Sequence, residues 1–435
     1  MTVQGILILV SFFIFAGLMI AKKLPTILAL PLMALAICAI SGMPLRNIIN
    51  VVLLGGSVKL ASSIAVVAFG AIFARIIMKT GISDSIIKKA AELAGDKPLP
   101  IALVLTAAIA FVFLGMNGLG AVIMIGSIAI PIMISAGIRP VVAGSLLLLG
   151  MQTGLSANAA NYGTHIGIFG GDVVSSFYLP ALIISAIVTV VFIIINVKPN
   201  RERSTWALAS SNNINKNEKK VPAIALITPI IPLAAVFICK AVWGFGAADK
   251  GMVDAVGSSI LGFVIASIYA ILVTQPKQIV NIFSGAIVEG IQDVAGVIFL
   301  FMGIGMLVAT VTNAQVAGFL NPMIKNIIPS GAVGFIIFFA LLAPLALYRG
   351  PLNMFGMGAG IAALIVSLKI LPIAAVAGAF VAVQYVQAVS DPTNSQNVWT
   401  ADYANEETGA ILKKTLPYTW IMTMAMLLFT IVTKW

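Results

Sequence analysis

Fourteen apolar runs, each 17 to 21 residues long, divide this sequence and fix its fold class before any motif is considered. They occupy 5–21, 25–41, 60–78, 99–116, 119–136, 140–156 and 176–196, then 222–241, 257–274, 291–311, 331–347, 352–368, 371–388 and 416–433. A bilayer core about 30 Å thick takes roughly 20 helical residues, and slightly fewer suffice for an arm that turns back inside it. Only 9% of the residues are charged, against about 25% in a water-soluble domain, and 60% are apolar, so the chain could not hide its apolar surface in water. The sequence predicts an all-α polytopic membrane protein with seven segments on either side of one strongly polar stretch, VKPNRERSTWALASSNNINKNEKKVP. The expected organisation is an N-terminal membrane repeat over 1–197, a cytoplasmic linker over 198–221 and a C-terminal membrane repeat over 222–435.

The net charge of +11 could suggest a polyanionic partner, but the 25 Lys and Arg are scattered at the ends of apolar runs and form no basic stripe with interleaved aromatics. Their expected partner is the lipid headgroup, and nucleic acid is excluded. Lys22, Lys23, Lys79, Lys88, Lys89, Lys97 and six basic linker residues fall on connections of one parity, whereas 157–175 carries no Lys or Arg. By the positive-inside rule the basic connections face the cytoplasm and both termini lie outside, in a prokaryotic cytoplasmic (inner) membrane. Arg75 is expected to snorkel to the headgroups, and segment 43–58 to lie along the outer interface. Cys38 and Cys239 sit within apolar runs and read as buried thiols, not as a disulfide or metal site.

The halves repeat. Sliding 118–152 onto 350–384, an offset of 232, gives seven identities in 35 positions: Gly118/Gly350, Gly126/Gly358, Ser135/Ser367, Ile138/Ile370, Pro140/Pro372, Ala143/Ala375 and Gln152/Gln384. Glycines, a proline and a glutamine match, which apolar composition alone explains poorly. Because each half has an odd number of segments, the second must be inserted upside down. Inverted repeats of this kind typify secondary transporters, whose substrates bind near the midplane on interrupted helices.

Two interruptions per half then mark the expected site. GMNGLG, residues 115–120, and YRGPLN, residues 348–353, read as the tips of opposed re-entrant hairpins, whose bare peptide groups need a wet cavity or a ligand. Each is followed by a polar break on what should be a helix: QTGLSANAANYGTH, 152–165, and QAVSDPTNSQNVWT, 387–400. Uncharged hydroxyls, amides and carbonyls at this density suit Na⁺ or a polyhydroxy or carboxylate ligand. The expected substrate residues are Asn117, Gly118, Ser156, Asn158, Arg349, Gly350, Asn353, Thr393 and Asn394, with Asp391, Asn161 and Ser390 for cation coupling. Arg349 suits a carboxylate. Asp391 precedes helix-breaking Pro392. Asp293 reads as a solvated helix start. His165, the only histidine, could carry a proton, with a loop position at the outer face as the plain alternative.

The expected activity is import of a small organic anion, a di- or tricarboxylate or a sugar acid, coupled to H⁺ or Na⁺ with no other cofactor. A cation/proton antiporter, or a transporter of neutral or zwitterionic solutes such as amino acids, are the alternatives. A membrane-embedded enzyme is not expected, since no HExxH, His cluster or carboxylate pair with a base is present.

IAKKLPTILALPLMAL, FGAIFARIIMKTGISDSIIKKAAELAGDKP and, after the first tip, IMIGSIAIPIMISAGIRP resemble the ion transporter superfamily. Within it the chain is similar to the citrate–proton symporter group, and more distantly to the gluconate permeases. The resemblance implies a scaffold plus an elevator-type transport domain with two opposed hairpins, a homodimer, and organic anions moved with H⁺ or Na⁺. One departure concerns the first tip. Citrate symporters of the metal-complex type tend to carry an acidic tip, whereas here the residues are Gly115, Met116, Asn117 and Gly118, which favours a metal-free anion.

Overall fold

The computed structural model describes residues 3–21, 23–197, 221–245, 251–324, 329 and 331–435. All regular elements among them are helical. The expected linker 198–221 lies, but for Val221, outside the described residues.

The same order of elements occurs twice. The first half runs α1 (Val3–Ile20), α2 (Thr26–Ile40), the 36-residue α3 (Leu45–Thr80) and the short α4 (Ile82–Ala94). A hairpin of α5 (Pro98–Phe113) and α6 (Leu119–Ser135) follows, then the broken helix α7 (Pro140–Leu155) and α8 (Ala159–Phe169), and the span α9 (Gly171–Asn196). The second half repeats this as α10 (Ala223–Trp243), α11 (Ala255–Thr274), the 36-residue α12 (Pro276–Val311) and the short α13 (Ala314–Ile324). Its hairpin is α14 (Ala332–Arg349) and α15 (Gly358–Leu368); its broken helix is α16 (Ile373–Tyr385, widened over Val386–Ser390) and α17 (Ser395–Tyr403); α18 (Thr408–Lys434) is its last span. By length and composition, eight of the described helices, or nine if the bent pair α7 and α8 is one span, are able to cross a membrane.

Local chemistry sets the boundaries. Pro98 and Pro140 open α5 and α7 at the first helical turn, where a missing N–H costs nothing. Gly81, at φ +75°, closes α3 in the left-handed conformation that side chains resist. Asp254 caps α11, its carboxylate accepting from Val256 and Gly257 N–H.

Two expectations change here. Segment 43–58 does not lie apart on the interface; it is the beginning of α3 and leads straight into the run at 60–78. Likewise Asp293 is not at a helix start but 17 residues into α12. In both helices a few polar side chains, Arg46, Asn47 and Asn50 in one and Glu289 and Asp293 in the other, interrupt the apolar run; α12 stays regular through them, whereas α3 is π-wound over Ile48–Gly55 and turns at Lys59 and Leu60 before continuing.

The halves interlock. α8 of the first half packs on α16 and α15 of the second, and α17 of the second packs on α6 and α7 of the first. The fit is close: a Cβ on Gly126 of α6 would lie 2.6 Å from the Trp399 ring. Just before the first break, a Cβ on Gly154 would lie 2.2 Å from the Ala110 carbonyl oxygen of α5, a backbone atom that cannot swing away. Gly154→Ala is therefore expected to separate α7 from α5 and to cost about 1–3 kcal/mol. The measurement is the unfolding midpoint of the purified protein in detergent; an unchanged midpoint would show that α5 yields freely.

Candidate functional site

The two hairpin tips and both broken helices meet at one cavity of about 1020 Å³. Asn117 and Gly118 line it from the first tip, Arg349 and Asn353 from the second. Asn161 lines it from the first broken helix, and Asp391, Thr393 and Asn394 from the second.

Each tip is built where side chains fit badly. Gly118 has φ +96°, and a Cβ on Gly115 would lie 2.6 Å from the Phe73 ring and 3.1 Å from the Pro229 carbonyl oxygen. At the second tip Tyr348 and Arg349 are both left-handed at φ 55°, an uncommon pair of conformations outside glycine. Gly350 is pressed on the chain behind it, a Cβ there lying 2.3 Å from the Leu345 carbonyl oxygen.

Amides tie the tips to the breaks. Asn158 Nδ2 donates to the Phe113 and Met116 carbonyls at 3.1 and 3.0 Å, while its Oδ1 accepts from Ala160 N–H at 2.9 Å. In the second half Gln387 Oε1 accepts from Met354 N–H at 2.9 Å, and Asn353 Nδ2 donates to the Ala346 carbonyl at 3.0 Å. Each break is also closed by an asparagine six residues on: Asn161 Nδ2 donates to the Leu155 carbonyl at 3.2 Å, and Asn397 Nδ2 to the Asp391 carbonyl at 2.8 Å. The offset here is 236, four more than in the preceding helices, so the second break is the longer.

Asp391 joins the second break to the second tip. Its Oδ1 accepts from Thr393 N–H and Oγ1 at 2.9 and 2.7 Å, and its Oδ2 from Arg349 N–H at 3.4 Å. The Arg349 guanidinium forms no ion pair with a carboxylate among the described residues. The cavity's other arginine differs. Arg75, expected at the headgroups, is instead locked to Asp293 in the cavity wall by a two-pronged contact through its Nε and Nη2, with Glu289 3.8 Å away. One turn on, Lys79 donates to Glu289 at 2.6 Å. A carboxylate midway along a spanning helix is costly alone, and Arg75 compensates it.

Four expected site residues lie off the cavity lining. Ser156 is buried, accepting from Gln152 Nε2 at 3.2 Å and donating to the Gln152 carbonyl at 2.8 Å. Asn158 holds the first tip and Gly350 lets the second tip fold. Ser390 meets the Thr415 and Thr419 hydroxyls at 2.9 and 3.0 Å. His165 is not on an outer loop: it is fully buried on α8, Nε2 3.4 Å from the Phe380 carbonyl, beside Tyr162 and Phe169. The sequence reading missed Arg75, Asp293, Gln384 and Gln387 as lining residues. Two signals were available: an acidic residue within a long apolar helix, and a glutamine matched across the repeat.

A family model described as GntP family permease matches residues 1–433. Comparison with curated proteins finds no match. Among solved structures, the YdaH transporter of Alcanivorax borkumensis, described as having an unusual topology, is similar at 14% identity and a TM-score of 0.60, covering 89% of this chain and 88% of that one. MtrF of Neisseria gonorrhoeae, described within a class of antimetabolite efflux pumps, is similar at 12% identity and a TM-score of 0.60, covering 92% and 84%. At these identities the likeness is one of fold. Of the two resemblances drawn from the sequence, these findings support the one to gluconate permeases and not the one to citrate–proton symporters.

Removing the amide in Asn158→Ala strands the buried Phe113 and Met116 carbonyls and is expected to cost about 1–3 kcal/mol. Hydrogen exchange of residues 114–119 should rise at least tenfold; unaltered protection of the tip would show that Asn158 does not hold it.

Proposed function

The chain belongs to the GntP family of permeases, and from that premise we propose that it imports a small organic anion together with H⁺ or Na⁺. Membership makes it a multi-pass membrane transporter and not an enzyme. The observation that carries the finer reading is a pair of opposite charges left unjoined at the second tip. Among the described residues Arg349 offers a guanidinium without a carboxylate partner, and Asp391 a carboxylate held by hydrogen bonds without an ion pair. An anion facing Arg349 and a cation facing Asp391 would each meet a complementary group. Because Asp391 also accepts from the Arg349 backbone, a change of its charge acts directly on the tip that presents the guanidinium.

Within the anion class a sugar acid is favoured over a di- or tricarboxylate. One unpaired arginine matches one carboxylate. The other polar lining, including Asn117, Asn161, Asn353, Gln384, Thr393 and Asn394, consists of neutral amides and hydroxyls suited to hydroxyl groups. The same unjoined charges also suit a zwitterion such as an amino acid, so both classes belong in the test. Elevator-like movement, a homodimer and a prokaryotic cytoplasmic membrane with both termini outside are part of the proposal and rest on the resemblance and the basic connections.

Two substitutions test it in proteoliposomes. Arg349→Ala is expected to lower anion uptake at least a hundredfold with the unfolding midpoint retained; an unchanged affinity removes Arg349 from the site. Asp391→Asn is expected to flatten the dependence of uptake on an imposed H⁺ or Na⁺ gradient, and an unaltered dependence rejects its coupling role.

A further inference from the structure

The two broken helices carry glutamines at equivalent positions, Gln152 and Gln384, in different circumstances. Gln152 has a local partner: its Nε2 donates to Ser156 Oγ one turn later at 3.2 Å. At the same offset of 232, Ser156 becomes Ala388, which has no hydroxyl. The oxygen of neither glutamine has a partner among the described residues, but Gln384, lacking the serine, has its amide nitrogen unpaired as well, although only 1% of the residue is exposed. Gln152 lies off the cavity lining, whereas Gln384, Gln387, Ala388 and Asp391 all line the wall along the end of α16 and the break that follows it. On that wall Gln387 is engaged by Met354 N–H and Asp391 by Thr393 and Arg349, which leaves Gln384 as the unengaged member.

A buried carboxamide with both its nitrogen and its oxygen idle is a standing deficit. A hydroxyl group, which both donates and accepts, is the small-molecule group that repairs both ends of it. We propose that Gln384 reads a hydroxyl of the transported anion, freed for this by the loss in the second repeat of the serine that occupies its counterpart in the first. This deepens the organic-anion reading above and rests on it. The role is one of specificity: a site built to bond a hydroxyl discriminates strongly against an analogue lacking it, because the site's own polar group is then left unpaired.

The test uses purified full-length protein, with gluconate and its monodeoxy analogues as probes, and calorimetric binding as readout. Wild-type protein should prefer gluconate to one of the deoxy compounds by about tenfold or more. Gln384→Leu should collapse that ratio to about one while the affinity for the deoxy compound changes less than threefold. Ala388→Ser keeps the glutamine but restores its local partner, so it should reduce the ratio in the same direction even if Gln384→Leu folds poorly. Ratios unchanged in both variants would overturn the role of Gln384 with the anion reading intact. Failure of wild-type protein to bind gluconate or any other organic acid would overturn the anion reading, and this role with it.

Discussion

A peptide group released by a helix that stops inside hydrocarbon has no water to bond, and the architecture of this protein follows from meeting that demand four times. The two tips and two breaks expose carbonyls and N–H groups at residues 113–118, 155–158, 345–354 and 389–394, and side-chain amides from the same half of the chain answer them. Asn158 and Gln387 each fasten a tip to the following broken helix; Asn161 and Asn397 each close a break. These attachments place peptide groups and side chains from four separate stretches around a single cavity. The cavity is therefore a product of backbone satisfaction as much as of side-chain choice.

Much of this was legible in the sequence because the bilayer imposes lengths. Runs of 17 to 21 apolar residues located the apolar helices, and glycine-bearing interruptions such as GMNGLG located the tips, since there glycines cluster with an asparagine between two apolar runs. What stayed hidden depended on partners distant in sequence. Arg75 read as a headgroup anchor because Asp293, 218 positions away, is invisible as its partner until α3 and α12 are packed together. Ser156 and Asn158 read as ligands because a polar side chain in a break looks the same whether it faces a solute or fastens a neighbouring loop. Segment 43–58 was misplaced because Arg46, Asn47 and Asn50 lower its hydropathy, although the chain continues from it into the helix at Ala61 after a π-wound stretch and one turn.

The repeats agree in backbone and diverge in charge. The second tip carries Arg349 and the second break Asp391, whereas the corresponding positions of the first half are Asn117 and Leu155, without ionised groups. The first half's arginine in the cavity, Arg75, is already neutralised by Asp293. Duplication thus supplied the shape twice, and substitution afterwards gave the two sides different chemistry.

The crossed seating of α8 and α17 has a consequence for biogenesis. α17 occupies residues 395–403, so the groove at Gly126 that receives Trp399 remains vacant until nearly the whole chain has been synthesised. The first hairpin is thus inserted long before its packing surface is complete, and its final seating is a late, post-insertion event that waits on the last tenth of translation.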